Sequence, residues 1–359
     1  MNEPRTPDDP HVPGDSAPRA LIVLLGAAGA VITLFGIREV ASIIGPIVLA
    51  LVLVIAVAPV RQMLDARGRA DWIQIVIPFL IVFLVLLGMV AILTVSVAQL
   101  TALLPAYADQ VQVLLGQAQQ WAAKIGISPD QLNKSLQSFT PDRILGVAQS
   151  LVSGLTSVLS SLFLVVVLLY AMSMDAPATA RFISASRGSR PEFVDALFAF
   201  AQNTRRYLVV STVFGIVCAV LDSVALSIVG VPLPLLWGAL ALITNYIPNI
   251  GFVLGLVPPA LLALLSGGVS QMLAVLVAYS VINVVVQSFI QPKYLGDAVG
   301  LSTTMTFLSL IIWAFVLGPL GALLAVPLSL LTRALLLDSD PRATWAATLI
   351  SNGKAQNAE

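Results

Sequence analysis

Apolar residues in this chain fall in long blocks separated by short polar interruptions. The blocks lie near 20–37, 40–60, 73–103, 147–172, 207–230, 235–265, 270–290 and 303–336. A helix needs about 20 apolar residues to cross a hydrocarbon core of roughly 30 Å. The pattern therefore predicts an all-α, polytopic membrane protein with about eight transmembrane crossings. The sixth and eighth blocks are too long for one straight crossing, and both are interrupted, by "NYIPNIG" and "VPP" in one and by "GPLG" in the other. Pro248, Gly251, Gly255, Pro258, Pro259, Gly318, Pro319 and Gly321 are the candidate helix breakers, because proline removes a backbone donor and glycine tolerates unusual φ. These two segments are either long broken helices or hairpins that re-enter the membrane. Their freed carbonyls need protein, water or solute as partners, since lipid offers none.

The polar stretches complete the division. Residues 1–19 contain five prolines and mixed charge, a disordered tail. Membrane helices one to three occupy 20–103, and an external helical segment occupies 104–146. Helix four fills 147–174, a cytoplasmic amphipathic segment 175–206, helices five to eight with their broken segments 207–337, and a second tail 338–359. In the external segment Leu100, Leu104, Tyr107, Val111, Leu114, Ala118, Trp121 and Ile125 are spaced alternately by four and three. This heptad-type stripe packs either on the subunit's own helices or at a subunit interface. Ser128-Pro129-Asp130-Gln131 reads as a capping box opening a second short helix. Gly146, Ser150, Ser153, Ser157 and Ser160 give helix four a small-residue face, for close packing or for the wall of a pathway. Segment 175–206 predicts a short helix, a Gly/Ser break and a second helix from about Pro191, lying at the membrane surface.

Charge sets an orientation. With eight crossings and the N-terminus inside, 13 of the 18 Lys and Arg residues fall inside and 5 outside, as expected of a multi-pass protein of the bacterial cytoplasmic (inner) membrane with both termini cytoplasmic. Composition agrees: 58% of residues are hydrophobic and 10% charged, against roughly 45–50% and about 25% in soluble domains. Net charge is zero, which argues against a nucleic-acid partner. One Cys and one His exclude a His/Cys metal cluster and leave a Ser-His-Asp triad without support. A phosphate loop of the GxxxxGK[ST] type is missing, so no ATP hydrolysis is expected of this chain. The reading is a non-enzyme without cofactor or metal.

Chemistry concentrates in two places. Asp222 is the single acid deep in a predicted crossing, and an ionisable group there is costly. It is either an ion or proton site, or an acid placed nearer the interface or bonded to a neighbouring helix. In the seventh block, Ser280, Asn283, Gln287 and Gln291 share one helix face at spacings of three, four and four. That face either lines a cavity for a polar solute or bonds helices together. Asn245, Tyr246 and Asn249 add polarity at the break. The expectation is that 245–251 faces Asn283 and Gln287 as part of a solute pathway, the alternative being a kinked packing helix.

Four stretches, "NTRRYLVVSTVFGIV", "GVPLPLLWGALALITNYIPNIGFVLGLVPPALLALL", "QPKYLGDAVGLS" and "GPLGALLAVPLSLL", occur in an order that resembles the autoinducer-2 exporter family of bacterial membrane proteins. An Ile-Pro-x-Ile-Gly element is matched at 247–251, and a Gly-x-x-Gly-x-x-x-Ala-x-Pro pattern at Gly318, Gly321, Ala325 and Pro327. The chain departs at Asn249, where relatives often carry glycine or tyrosine. The resemblance implies an inner-membrane exporter that forms a homo-oligomer, a pentamer by analogy. Some relatives move autoinducer-2, a small polar furanone derivative, and others resemble sodium–proton antiporters. Three functions follow: an export permease for a small polar solute, a cation–proton antiporter coupling sodium or protons through Asp222, or a membrane scaffold that transports nothing.

Overall fold

The computed structural model describes residues 19–107, 141–248, 250–295 and 302–339, with isolated positions between 110 and 120. Among them every element is helical. Helix α1 spans Arg19–Glu39, α2 Ala41–Ala66, α3 Asp71–Leu103, α4 Pro141–Ala185 and α5 Pro191–Val229. Then come α6 (Pro234–Thr244), α7 (Gly251–Asn283), a π-helical stretch Val284–Ile290, α8 (Gln291–Leu295), α9 (Thr303–Leu323) and α10 (Ala325–Arg333). The stripe beyond Tyr107 and the capping box at 128–131 lie largely or wholly outside the described residues, as do both tails.

Helices of this composition bury little of themselves. Within the most apolar 18-residue window of each long helix, 17–28% of residues are buried. Large side chains such as Phe163 and Ile228 are 75% and 81% exposed. An outward surface of this kind fits a lipid solvent.

About eight crossings were expected, and six described helices are long and apolar enough to cross: 41–66, 71–103, 159–188, 191–229, 251–290 and 303–323. Length alone overstates two of them, because 251–290 and 303–323 each contain a glycine outside helical geometry. Gly268 has φ 77° and ψ −166°, and Gly318 has φ 65° and ψ −146°. Both lie in the left-handed half of the map, which glycine enters without steric cost. At both points the chain turns back on itself.

The reversals follow from the contacts. Helix α5 ends at Gly230, whose φ of 82° allows Gly230 N–H and Val231 N–H to bond back to Ser227 and Leu226. Helix α6 then runs antiparallel to α5: Gly238 packs on Ser223 and Ala219, and Asn245 reaches the Ser211 carbonyl. The first half of α7 returns beside α6, with Gly251 on the Thr244 carbonyl and Gly255 on Thr244 and Ala241. At Gly268 the chain reverses once more. Gln271 bonds to the Val229 carbonyl at the C-terminal end of α5, and Arg206, well back along the same helix, bonds to the Tyr294 carbonyl. Residues 234–267 thus form a helical hairpin, hairpin A, that starts and ends beside Val229, with its tip at 245–250 beside Ser211.

Hairpin B is α9 and α10, turning at Gly318. Its limbs are joined by Ser309 Oγ to the Ala325 carbonyl (3.1 Å), Trp313 Nε1 to Ser329 Oγ (3.1 Å) and a Ser309–Ser329 hydroxyl pair. Its tip packs Val316, Leu317 and Leu324 on Val48 and Val52 of α2. Phe315 meets Phe35 edge-on and lies under the Arg38 guanidinium. Its returning limb packs Val326, Leu330 and Ala334 on Ala196, Phe200 and Tyr207 of α5.

Two sequence expectations change in detail. Pro191 does open a helix, but that helix runs unbroken through the fifth apolar block to Val229, and α4 likewise continues to Ala185. Gly255, Pro258 and Pro259 do not break the chain: they sit inside a helical stretch of α7. The prolines remove the N–H groups that would serve the Leu254 and Gly255 carbonyls, while their fixed φ remains helical. The true breaks are 245–250 and the two left-handed glycines.

Candidate functional site

The tip of hairpin A is bonded on two sides. Toward α5, Asn245 Nδ2 donates to the Ser211 carbonyl (2.8 Å) and Tyr207 OH donates to the Tyr246 carbonyl (2.8 Å). The Tyr246 hydroxyl lies 2.6 Å from Thr212 Oγ1. Thr212 gives its own proton to the Leu208 carbonyl, so Tyr246 is the donor. Toward the end of α7 and the π-helical stretch that follows it, Gln287 Nε2 donates to Asn245 Oδ1 (3.1 Å) and to Asn283 Oδ1 (2.8 Å), which uses both of its N–H groups. Asn283 Nδ2 donates to the Tyr279 carbonyl (2.9 Å). Each amide is oriented by its partners, and together they form a polar seam.

Glycine makes this approach feasible. A Cβ on Gly215 would stand 2.9 Å from Leu242 and 3.1 Å from Asn245 Nδ2, and one on Gly238 would stand 2.0 Å from Ser223 Oγ. At the tip, a Cβ on Gly251 would fall 1.8 Å from the Thr244 carbonyl oxygen. Gly321 repeats the arrangement in hairpin B, 1.8 Å from the Trp313 carbonyl oxygen. Pro319 follows the Gly318 turn directly, and the Pro248 carbonyl accepts from Ile250 N–H within the tip of hairpin A.

Asp222 is fully buried, at 0% exposure, and neither carboxylate oxygen has a hydrogen bond within the protein. The Asn283 amide lies beside it, with one of its two N–H groups given to the Tyr279 carbonyl and the second left to face the carboxylate. The Tyr279 hydroxyl, 1% exposed, is equally without a partner. Asp222, Thr244, Gly255, Tyr279, Asn283 and Gln287 line a small cavity of ≈ 10 Å³, room for about one water molecule. A buried carboxylate without a counter-charge is among the most expensive groups a protein can hold.

The structure thus joins Asn245, Tyr246, Asn283 and Gln287 in one site with Asp222. Gln291 takes no part in the seam. The π-helical stretch 284–290 widens the turn, so a spacing of four no longer keeps Gln291 in register with Gln287. Asn249 lies outside the described residues. Sequence reasoning missed the facing side of the site, Tyr207, Ser211 and Thr212 on α5 and Tyr279 on α7. The signal was present: Thr204, Tyr207, Ser211, Gly215, Cys218 and Asp222 recur at three- and four-residue spacing, and all six are buried.

Comparison with known proteins decides the family. The AI-2E family transporter profile matches residues 21–339. The chain belongs to that family. It is 32% identical over 317 residues to "AI-2 transport protein TqsA" of Escherichia coli (strain K12), covering 87% of this chain and 90% of the relative. It is 29% identical over 313 residues to "Putative transport protein YhhT" of the same strain, covering 86% and 88%. A "Putative transport protein" of Haemophilus influenzae is 28% identical over 334 residues, covering 91% and 95%. An AI-2E family transporter with these apolar helices is a multi-pass membrane protein, and its polar seam lies among the helices of hairpin A, α5 and α7.

Proposed function

We propose that this transporter is an export permease for a small polar solute of the autoinducer-2 type, working without ATP hydrolysis of its own. The observation that carries the reading is the Asn245–Gln287–Asn283 seam. It places uncharged donors and acceptors at the tip of a helical hairpin, and such tips can separate from their partners as rigid bodies. Amides suit a neutral polyhydroxylated solute, since they both donate and accept. The name of the TqsA relative supports the solute class. The same reading makes the protein a homo-oligomer, a pentamer by family resemblance, in the inner membrane of a bacterium.

Hairpins alter the proposed topology. If A and B each leave the membrane on the side they entered, the crossings are α1 to α5 and the stretch 269–290. Both termini remain cytoplasmic, and Lys293 moves inside. The inside then holds 14 of the 18 Lys and Arg residues, a stronger inward bias than eight crossings give.

Asp222 favours a second reading, cation–proton exchange, because a buried acid lacking a counter-charge can carry either ion. Proteoliposomes containing the purified chain distinguish the two. The permease reading expects saturable flux of labelled autoinducer-2, lowered by Gln287→Leu and by Asn245→Leu. Movement of ²²Na⁺ driven by a pH gradient, with no autoinducer-2 flux, replaces it with the second reading.

A further inference from the structure

Many hydroxyl groups on the described helices find a carbonyl, either within their own helix or, like Ser223 and Ser309, on a neighbouring segment. Thr33, Ser173, Ser184, Thr212, Ser227 and Thr332 all return their proton to the carbonyl four residues earlier. That local bond is how a lone hydroxyl is satisfied in an apolar helix. Thr204 and Ser211, on α5, make no such bond. They are 0% and 1% exposed, and neither oxygen has a hydrogen-bond partner. Ser211 Oγ lies beside the Tyr207 hydroxyl, whose proton goes to the Tyr246 carbonyl, so Ser211 receives no proton from Tyr207 and can only donate toward its oxygen. Both hydroxyls occupy the α5 face that carries Asp222. From 204 to 222 is 18 residues, five full turns, so Thr204 and Asp222 point the same way. Gly215 leaves the floor of that face bare between them.

Two lids cover this face. The tip of hairpin A lies over Ser211 and Gly215 through Asn245 and Leu242. The returning limb of hairpin B covers the next stretch through Val326 and Leu330. They meet at Tyr207, which bonds to the first and packs on the second. Arg205 and Arg206 turn away from the groove to the Ile55 and Tyr294 carbonyls.

We propose that this face of α5 is a gated proton route, with Asp222 as its carrier, Ser211 and Thr204 as its hydroxyl relay, and the tip of hairpin A as its lid. With the lid lifted, water fills the groove above Gly215. A proton passes along water and hydroxyl oxygens by making one O–H bond as the next breaks, and ends on an Asp222 oxygen. Nothing is oxidised and no co-reactant is consumed. Among the described residues, the titratable groups beside Asp222 are Cys218 on its own helix and Tyr279 on α7. α6 presents only Ala241 and Thr244 to the cavity. No fixed cation there would hold the carboxylate charged, so a carrier that gains and loses a proton fits better than a permanent ion pair. The route rests on the permease reading for its use, as the coupling path for export, but its test needs no solute.

The full-length protein is reconstituted with pyranine trapped inside the vesicles and valinomycin clamping the potential, and the decay of an imposed pH gradient is followed. Wild type should dissipate the gradient faster than protein-free vesicles, and Asp222→Asn should return it to that baseline. Thr204→Val and Ser211→Ala should each slow the decay about fivefold or more, because each removes one hydrogen-bonded step. Asn245→Ala, which releases the lid, should speed it. Ser227→Ala removes an exposed hydroxyl already bonded to Ser223 and should change nothing. Should Thr204→Val or Asp222→Asn fail to give a monodisperse protein, wild type treated with dicyclohexylcarbodiimide replaces it: an adduct on Asp222, located by peptide mass, must stop the flux. Flux no faster than protein-free vesicles, flux indifferent to Asp222, or wild-type rates in both hydroxyl variants would overturn the route. Proton flux without autoinducer-2 flux in the same vesicles sinks only the solute assignment, and autoinducer-2 flux without proton flux sinks only the route.

Discussion

Replacing Tyr207 by Phe removes one oxygen and keeps the ring that packs on Val326, Leu330 and Ala334. The lost bond is the 2.8 Å contact to the Tyr246 carbonyl. That carbonyl has no helical donor to fall back on, because Ile250 N–H, four residues later, turns instead to the Pro248 carbonyl. In the closed state Tyr207→Phe therefore leaves a partly buried carbonyl unpaired, which costs about 1–3 kcal/mol. In an opened state water serves the same carbonyl, and the cost vanishes. The closed state alone is destabilised, so the open fraction should rise by roughly 5- to 150-fold, at about 1.4 kcal/mol per factor of ten. Hydrogen exchange in nanodiscs reads this directly. Ile247 N–H is held by the Thr244 carbonyl and Gly251 N–H by the Ile247 carbonyl; both bonds lie within the tip, and lifting the tip exposes them to water, where local opening lets them exchange. Their rates should rise by the same factor, while amides in the middle of α2 stay unchanged. If the 247–251 amides exchange at the wild-type rate in a well-folded Tyr207→Phe protein, hairpin A is not a latched element and the gating argument fails.

Other consequences are equally direct. Gly251→Ala and Gly321→Ala each drive a methyl into a backbone carbonyl and should lower thermal stability by about 1–3 kcal/mol or prevent folding, whereas Gly36→Ala, with nothing within 4 Å, should not. Arg205 Nε donates to the Ile55 carbonyl at 3.3 Å, the group that Pro59 deprives of its helical N–H. Arg205→Ala should then cost about 1 kcal/mol or more of stability, and nearly nothing when Pro59→Ala is also present, as a double-mutant cycle would show. In a Cys218→Ser background, a cysteine at Ser266 should react with a membrane-impermeant maleimide from outside and one at Lys293 should not; the opposite result restores eight crossings.

Much of this was legible in the sequence, for identifiable reasons. Glycine and proline in apolar runs cannot be neutral, so the breaks at 245–251 and 318–321 stood out. An acid such as Asp222 and amides such as Asn283 and Gln287 contrast sharply with their neighbours. Hydroxyls do not. Thr204, Tyr207 and Ser211 barely alter a hydropathy profile, and a helix can satisfy a Ser or Thr locally, so spacing alone does not separate a bonded hydroxyl from an unbonded one. Gly268 was equally silent: "SGGV" reads as a plain connection between two helices, and only its φ of 77° and the bond from Gln271 to Val229 show that it closes a hairpin. Gln291 was placed on the seam by assuming a regular α-helix, and the π-helical stretch removes that assumption.

The bond between Arg205 and the Ile55 carbonyl also has a timing. The two residues lie 150 positions apart. At 5–20 residues per second, translation needs roughly 8–30 seconds to deliver that arginine after the isoleucine. Through that interval α2 is synthesised and inserted with an unpaired carbonyl one turn before Pro59. A hydrocarbon surround penalises such a carbonyl, so a half-made chain is drawn to keep this end of α2 near water or the insertion machinery. It settles when α5 arrives. A proline in the second helix thereby makes the fifth helix a checkpoint of biogenesis, and chains truncated before Arg205 should be the ones that quality-control proteases remove.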